Sequence, residues 1–103
     1  MGNISAQAVG FFSQIAGVYS SGFTFNVASF TKNRGGQVTV NLTTPFADTN
    51  YAVTFGINQS SGERVVANEI VGSRTVSSFQ VALSTTDGRG VDSSFSFSAW
   101  GNQ

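Results

Sequence analysis

The 103-residue sequence contains no cysteine and no histidine. Without cysteine, the fold has neither disulfide bonds nor thiolate ligands for a metal. Without histidine, it lacks the side chain that most often serves as a general base and as a metal ligand. A serine nucleophile activated by histidine is therefore excluded. We expect no catalytic residue, no metal site and no cofactor.

Charged residues are scarce as well, with five basic and five acidic residues and a formal net charge of zero. The basic residues are scattered, whereas a nucleic-acid-binding surface clusters them to displace counterions from phosphates. We therefore expect no nucleic-acid partner. Ser, Thr, Asn and Gly replace the usual Lys and Glu, and small neutral groups lose little free energy on desolvation when they become hydrogen-bonded. This composition predicts a domain that works in contact with other molecules.

Long apolar runs are also absent. No run approaches the roughly 20 residues that cross a bilayer as a helix, so we expect no membrane partner and a protein that is soluble before it assembles. The N-terminus has no basic stretch followed by an apolar segment, so no signal peptide is expected. The length fits one small domain of modest stability, to which association with further copies would add.

From residue 22 onward, apolar and polar residues alternate, as is typical of half-buried β-strands. Polar turns separate the runs, and no helix that could connect parallel strands lies between them. We predict an all-β domain over 22–103, an antiparallel β-sandwich (jelly-roll-like or Ig-like) of about six to seven strands, with a closed barrel as the alternative. The run from Arg64 to Val71 breaks the alternation and predicts a bulge or a bend. The residues predicted to face the core are Phe23, Phe25, Val27, Val38, Val40, Leu42, Tyr51, Val53, Phe55, Ile57, Phe79, Val81, Leu83, Phe95, Phe97 and Ala99.

Residues 1–21 follow a different pattern. Apolar residues recur there at spacings of three and four, as on one stripe of a helix, although Gly10 and Gly17 would weaken such a helix by about 1 kcal/mol each. Two interpretations stay open: an extended or irregular N-terminal arm, or a short helix. Either one could dock on a larger particle or mediate oligomerisation. The residues of the stripe are Ala8, Phe11, Phe12, Ile15 and Ala16.

Two segments resemble domains of bacteriophage tail-fibre and appendage proteins. The first runs from Phe25 to Val53 and includes Thr43-Thr44-Pro45 and Asn50-Tyr51-Ala52-Val53, and the second joins Val76–Val81 to Asp92–Gly101. The resemblance implies a non-enzymatic structural protein on the surface of the virion, assembled as a homotrimer beside other virion proteins. It also implies adhesion to a glycan or protein of the host surface. The alternative is a capsid decoration or cement protein that stabilises the phage head, with residues 1–21 as its docking arm.

A glycan-degrading appendage enzyme is the third alternative. It would need two carboxylates about 5–10 Å apart, and no pair stands out in the sequence. Asp87 and Asp92 bracket a predicted turn, and turn formation accounts for Asp87. A Ser–Lys nucleophile would have to use Lys32, which lies in a polar turn where we expect it to be solvated. We therefore predict that the protein is not an enzyme.

Aromatic side chains are the candidates for contact with a partner or a sugar. Trp100 is out of phase with Phe95 and Phe97, and Phe46 follows Pro45 at the end of a strand. Tyr51, by contrast, is in phase with the core and is expected to be buried. The predicted interface or ligand contacts are Phe11, Phe12, Tyr19, Phe46 and Trp100.

Overall fold

The fold is all-β. A computed structural model describes residues 5–15, 18–58 and 64–101, and within these ranges it contains eight strands and no helix. No helix in the described part of the chain is therefore long and apolar enough to cross a membrane. The strands are β1 (Ser5–Ile15), β2 (Val18–Phe25), β3 (Val27–Arg34), β4 (Gln37–Leu42), β5 (Ala52–Asn58), β6 (Val65–Glu69), β7 (Ser78–Thr85) and β8 (Ser94–Gly101).

The strands form two four-stranded sheets that pack face to face. Sheet I has the order β2-β1-β8-β5, and sheet II has the order β3-β4-β7-β6. All neighbouring strands are antiparallel. The predicted antiparallel β-sandwich is thus confirmed, as two separate sheets rather than a closed barrel.

The core lies between the two sheets and is rich in aromatic rings. Phe79 of sheet II meets Phe97 of sheet I edge to face, with ring centroids 5.4 Å apart, a geometry that aromatic quadrupoles favour. Alternation explains the layer, because every second residue of a strand points inward. The buried apolar residues are Ala8, Phe12, Val38, Val40, Leu42, Phe46, Tyr51, Phe79, Val81, Leu83, Phe95, Phe97 and Ala99.

The prediction of an arm or a short helix over 1–21 is wrong for the residues that the structure describes. Strand β1 lies inside sheet I, hydrogen-bonded to β2 on one side and to β8 on the other. Its inward residues Ala8 and Phe12 are fully buried. The strand was hard to recognise because Val9 and Phe11 make its outer side apolar too, which hides the alternation. The sandwich therefore begins within the predicted arm. Strand β1, together with the division of one predicted strand into β2 and β3, raises the count in the described residues to eight.

The single strand predicted around Phe23, Phe25 and Val27 is also wrong, because the chain changes sheets at Asn26. This residue has φ 59°, a left-handed conformation that Asn tolerates better than most residues. Its side chain donates to the carbonyl oxygen of Thr44 (3.0 Å) and accepts from the amide of Thr44 (2.7 Å). Phe23 and Phe25 consequently lie on the outside of sheet I, 75% and 54% exposed.

Glycines with positive φ indicate the positions of the turns better than breaks in the hydrophobic alternation do. Gly88, predicted to reverse the chain after Asp87, has φ 92°. Between Arg64 and Val71 no bulge occurs, since β6 pairs with β7 without a register shift. The alternation fails there because Val66 points outward, 40% exposed, and the chain turns at Gly72 with φ 81°.

Candidate contact surface

The five predicted contact residues divide into two core residues, two surface residues and one that lies outside the described side chains. Phe12 is fully buried beside the rings of Phe30 and Phe95, and Phe46 is 3% exposed and stacks on Tyr51 at 4.2 Å. In this structure both serve the core, so their assignment as contacts is wrong. The burial predicted for Tyr51 is confirmed, at 3% exposed.

Phe11 and Trp100 lie on the outer side of sheet I, and the side chain of Tyr19 lies outside the described residues. Trp100 is 41% exposed, and its indole nitrogen donates to the hydroxyl of Ser98 at 3.3 Å. Phe11 is half-buried, and its ring covers Gly22 of β2, where an added Cβ would lie 2.9 Å from the ring. Gly22 therefore leaves the room that lets Phe11 lie flat across the neighbouring strand.

The register brings further apolar residues to the same side of sheet I. Residues paired directly across strands face the same way, so Phe25, Val9, Ser98 and Thr54 form one row across the four strands. Phe11 stands in the next row, opposite Ser96. The outward apolar residues of this side form what we call the aromatic patch: Val9, Phe11, Phe23, Phe25 and Trp100.

The four strands of sheet I carry no charged side chain. None of the segments Ser5–Ile15, Val18–Phe25, Ala52–Asn58 and Ser94–Gly101 contains Asp, Glu, Lys or Arg. The aromatic patch is thus surrounded by hydroxyls, small apolar groups and glycine. Any molecule that binds there gains by burying apolar surface and by short-range packing rather than by ion pairing.

The outer side of sheet II has a different chemistry, in which polar side chains bond to one another. The amide nitrogen of Asn41 donates to the hydroxyls of Ser29 (3.1 Å) and Thr31 (3.2 Å). Beside it, the Thr39 hydroxyl donates to Asn33 Oδ1 at 2.7 Å. This surface offers hydroxyl and amide groups already arranged by their neighbours, on β3 and β4.

A cluster around Arg74 holds together one end of the sandwich. Its guanidinium donates to both carboxylate oxygens of Glu69 (2.6 and 2.7 Å) and to the carbonyl oxygens of Thr49 and Tyr51. It also lies 4.3 Å from the centre of the Tyr51 ring. The Tyr51 hydroxyl donates to the carbonyl of Thr75 at 2.7 Å, and burial raises the pKa of this phenol to about 12. These contacts are structural, so the Asn50-Tyr51 motif needs no ligand to explain it.

Sequence reasoning did not find the Arg74 cluster. Glu69 and Arg74 are five residues apart on either side of a turn, a spacing without a recognised motif, and Tyr51 joins them only through the fold. Asp48 and Asn50, by contrast, form the predicted turn, since the Asn50 amide donates to Asp48 Oδ1 at 2.9 Å.

The carboxylates considered for catalysis are engaged in holding loops. Asp92 accepts from Lys32 at 2.7 Å and from the amide of Gly36 at 3.0 Å. Lys32 lies in β3 and not in a turn, and its ion pair with Asp92 corrects the prediction that it is solvated. Asp87 accepts from the hydroxyl of Thr85, and this bond lowers the pKa of the carboxyl. Across the described ranges, no three acidic residues gather into a group that could hold a metal ion.

No family model, no curated protein and no solved structure matches the chain. The resemblance of the segments within 25–101 to phage appendage domains therefore stays a prediction from the sequence.

Proposed function

We propose that the protein is a non-enzymatic structural protein of a bacteriophage particle, in which it acts as a tail-fibre-like domain in adhesion to the host surface. The observation that carries the contact role is the aromatic patch, which places exposed rings on a sheet without charge. Exposed apolar patches of this kind mark interaction surfaces. The phage assignment is supported by the resemblance of the segments within 25–101.

The two outer sides of the sandwich suit different partners. The aromatic patch suits an apolar protein surface, as in a homotrimer or in contacts with other virion proteins. The outer side of sheet II offers the hydroxyl and amide groups of Ser29, Thr39 and Asn41, which match the hydrogen-bonding groups of a glycan or of a protein backbone. We therefore propose that the outer side of sheet II contacts the host surface.

The second candidate is a capsid decoration protein that stabilises the phage head. The feature that favours it is the low charge on both sides of a thin sandwich, since a cement protein has to contact more than one neighbour. The described residues of the predicted docking arm belong to β1 and β2, so a decoration role would use the sheet surfaces instead.

Labelling intact phage particles with an antibody against the chain and viewing them by electron microscopy tests this proposal. Label at the tail tip, together with binding of the purified chain to host cells and inhibition of infection, supports adhesion. Label spread over the head, with binding to shells that lack the protein at a copy number set by capsid symmetry, supports decoration instead. Absence of the label from purified particles contradicts both.

A further inference from the structure

We propose that the aromatic patch is the surface through which copies of this chain associate, each patch packed against the same patch of a second copy. The inference deepens the proposed function and rests on the part of it in which the chain assembles with itself. It names the residues that would make the contact: Val9, Phe11, Phe23, Phe25 and Trp100.

Three rings of the aromatic patch are exposed. Phe23 and Phe25 are 75% and 54% exposed, and Trp100 is 41% exposed. Folding buries the other side of the same sheet completely at Phe12 and Phe95. The outer rings contribute little to the single sandwich, and their burial becomes favourable only when another apolar surface covers them.

The edge strands of the two sheets differ in charge. Charged residues on an edge strand hinder pairing with another chain. Of the strands that the structure describes, those with charged residues are the two edges of sheet II, with Lys32 and Arg34 on β3 and Glu69 on β6. The edges of sheet I, β2 and β5, carry no charged residue. A second copy can therefore approach sheet I without bringing charges together or removing them from water.

Chemical matching selects a second copy as the occupant. A glycan on the patch could stack on a ring, but the hydroxyls that it turns toward Val9, Phe23 and Phe25 would lose water without finding a hydrogen-bonding partner. A charged protein surface would have to be desolvated without an ion-pairing partner. The patch of a second copy is apolar, uncharged and of the same width, and identical patches meet naturally about a symmetry axis.

The area of the outer side of sheet I is sufficient for a specific interface. Sheet I is four strands wide, and at a strand spacing of ~4.8 Å and a rise of ~3.3 Å per residue its outer side covers roughly 500 Å². Two such surfaces bury about 1,000 Å² in total, which reaches the lower size of a specific protein interface. Contact between the outer sides of sheet I on two copies, with the aromatic patches facing each other, is therefore large enough to hold a dimer about a two-fold axis.

The test is the mass of the full chain in solution, measured by light scattering after size exclusion over a range of concentrations. We expect an oligomer for the unmodified chain and a monomer for the double substitution Phe23→Thr and Phe25→Thr, with the dissociation constant raised about a hundredfold or more. Thr retains the preference for a strand, and an unchanged circular dichroism spectrum reports that the fold is intact. Should the double variant fail to fold, Phe23→Thr alone applies the same test.

Val71→Thr and Val66→Thr are the matched controls, because both valines are exposed (98% and 40%) and lie outside sheet I. They should leave the mass unchanged. A wild-type chain that is still a monomer at ~100 μM overturns the inference, because its association would be weaker than a stable assembly requires. An oligomer that survives the loss of both rings overturns it as well. If the mass depends on the patch but the chain is absent from phage particles, the proposed function fails and this inference stands.

Discussion

The two outer sides of this sandwich have the same architecture and opposite chemistry. On sheet II, Asn41 bonds to Ser29 and Thr31, so polar groups stabilise one another while they face water. On sheet I, Phe23 and Phe25 stand exposed on strands that carry no charge. Since the inner sides of both sheets are equally apolar, the difference is not needed to build the core. The proposed association of copies through sheet I rests on this difference.

The largest effect should separate the inner from the outer side of sheet I. Phe12→Ala removes a fully buried ring and should lower the free energy of unfolding by about 3–5 kcal/mol. Phe23→Ala, on the other side of the same sheet, should change it by less than about 0.5 kcal/mol. Urea denaturation, carried out at a protein concentration too low for association, measures both changes in the free energy of unfolding. Equal losses would mean that the exposed rings are part of the fold and not a contact surface.

An intermediate effect should follow from the tie that joins the sheets. Tyr51 precedes β5 of sheet I, and its hydroxyl donates to backbone carbonyls beside β7 of sheet II. Tyr51→Phe should cost about 1–2 kcal/mol of folding free energy without altering the difference between the outer sides. Thermal and urea unfolding measure the loss.

The same hydroxyl gives a dependence on pH. The pKa of Tyr51 is raised to about 12 by burial, whereas an unfolded tyrosine ionises near 10. Between these values the unfolded chain binds fewer protons than the folded one, so stability falls as the pH rises from about 10 to about 12. Tyr51→Phe should remove this part of the alkaline loss. An unchanged alkaline profile in Tyr51→Phe would show that another group causes it.

A smaller effect than that of Tyr51→Phe should come from the polar side. Asn41→Ala removes two hydrogen bonds between exposed side chains, and water replaces most of what is lost. We expect a change of about 0.5–1 kcal/mol in the free energy of unfolding and no change in the mass of the assembly. Loss of assembly in this variant would transfer the contact surface to sheet II.

Much of the fold could be predicted from alternation alone, and the exceptions share a cause. Strands β4, β7 and β8 have one apolar and one polar side, and their inward residues were identified correctly. Strand β1 could not be recognised because Phe11 and Phe12 are adjacent and point to opposite sides. Where both sides of a strand are apolar, periodicity disappears, and the proposed contact surface lies at such a place.

The positions of the five predicted contact residues agree with the sequence less well than the positions of the core residues do. Phe11 and Trp100 lie on the surface as expected, whereas Phe12 and Phe46 are buried. Phe23 and Phe25, the most exposed rings of the patch, were assigned to the core because they alternate with Thr24 and Asn26. Alternation states that two residues share a side of a strand, but only the pairing of β2 with β1 shows which side that is.

The most direct test of whether association buries the aromatic patch is hydroxyl-radical footprinting of the unmodified chain. The oxidation is read by mass spectrometry at low and high protein concentration. Phe23, Phe25 and Trp100 should oxidise readily in the dilute protein and become protected as it assembles, while Val66 and Val71 keep the same rate throughout. Rates at the three rings that do not depend on concentration would contradict the account.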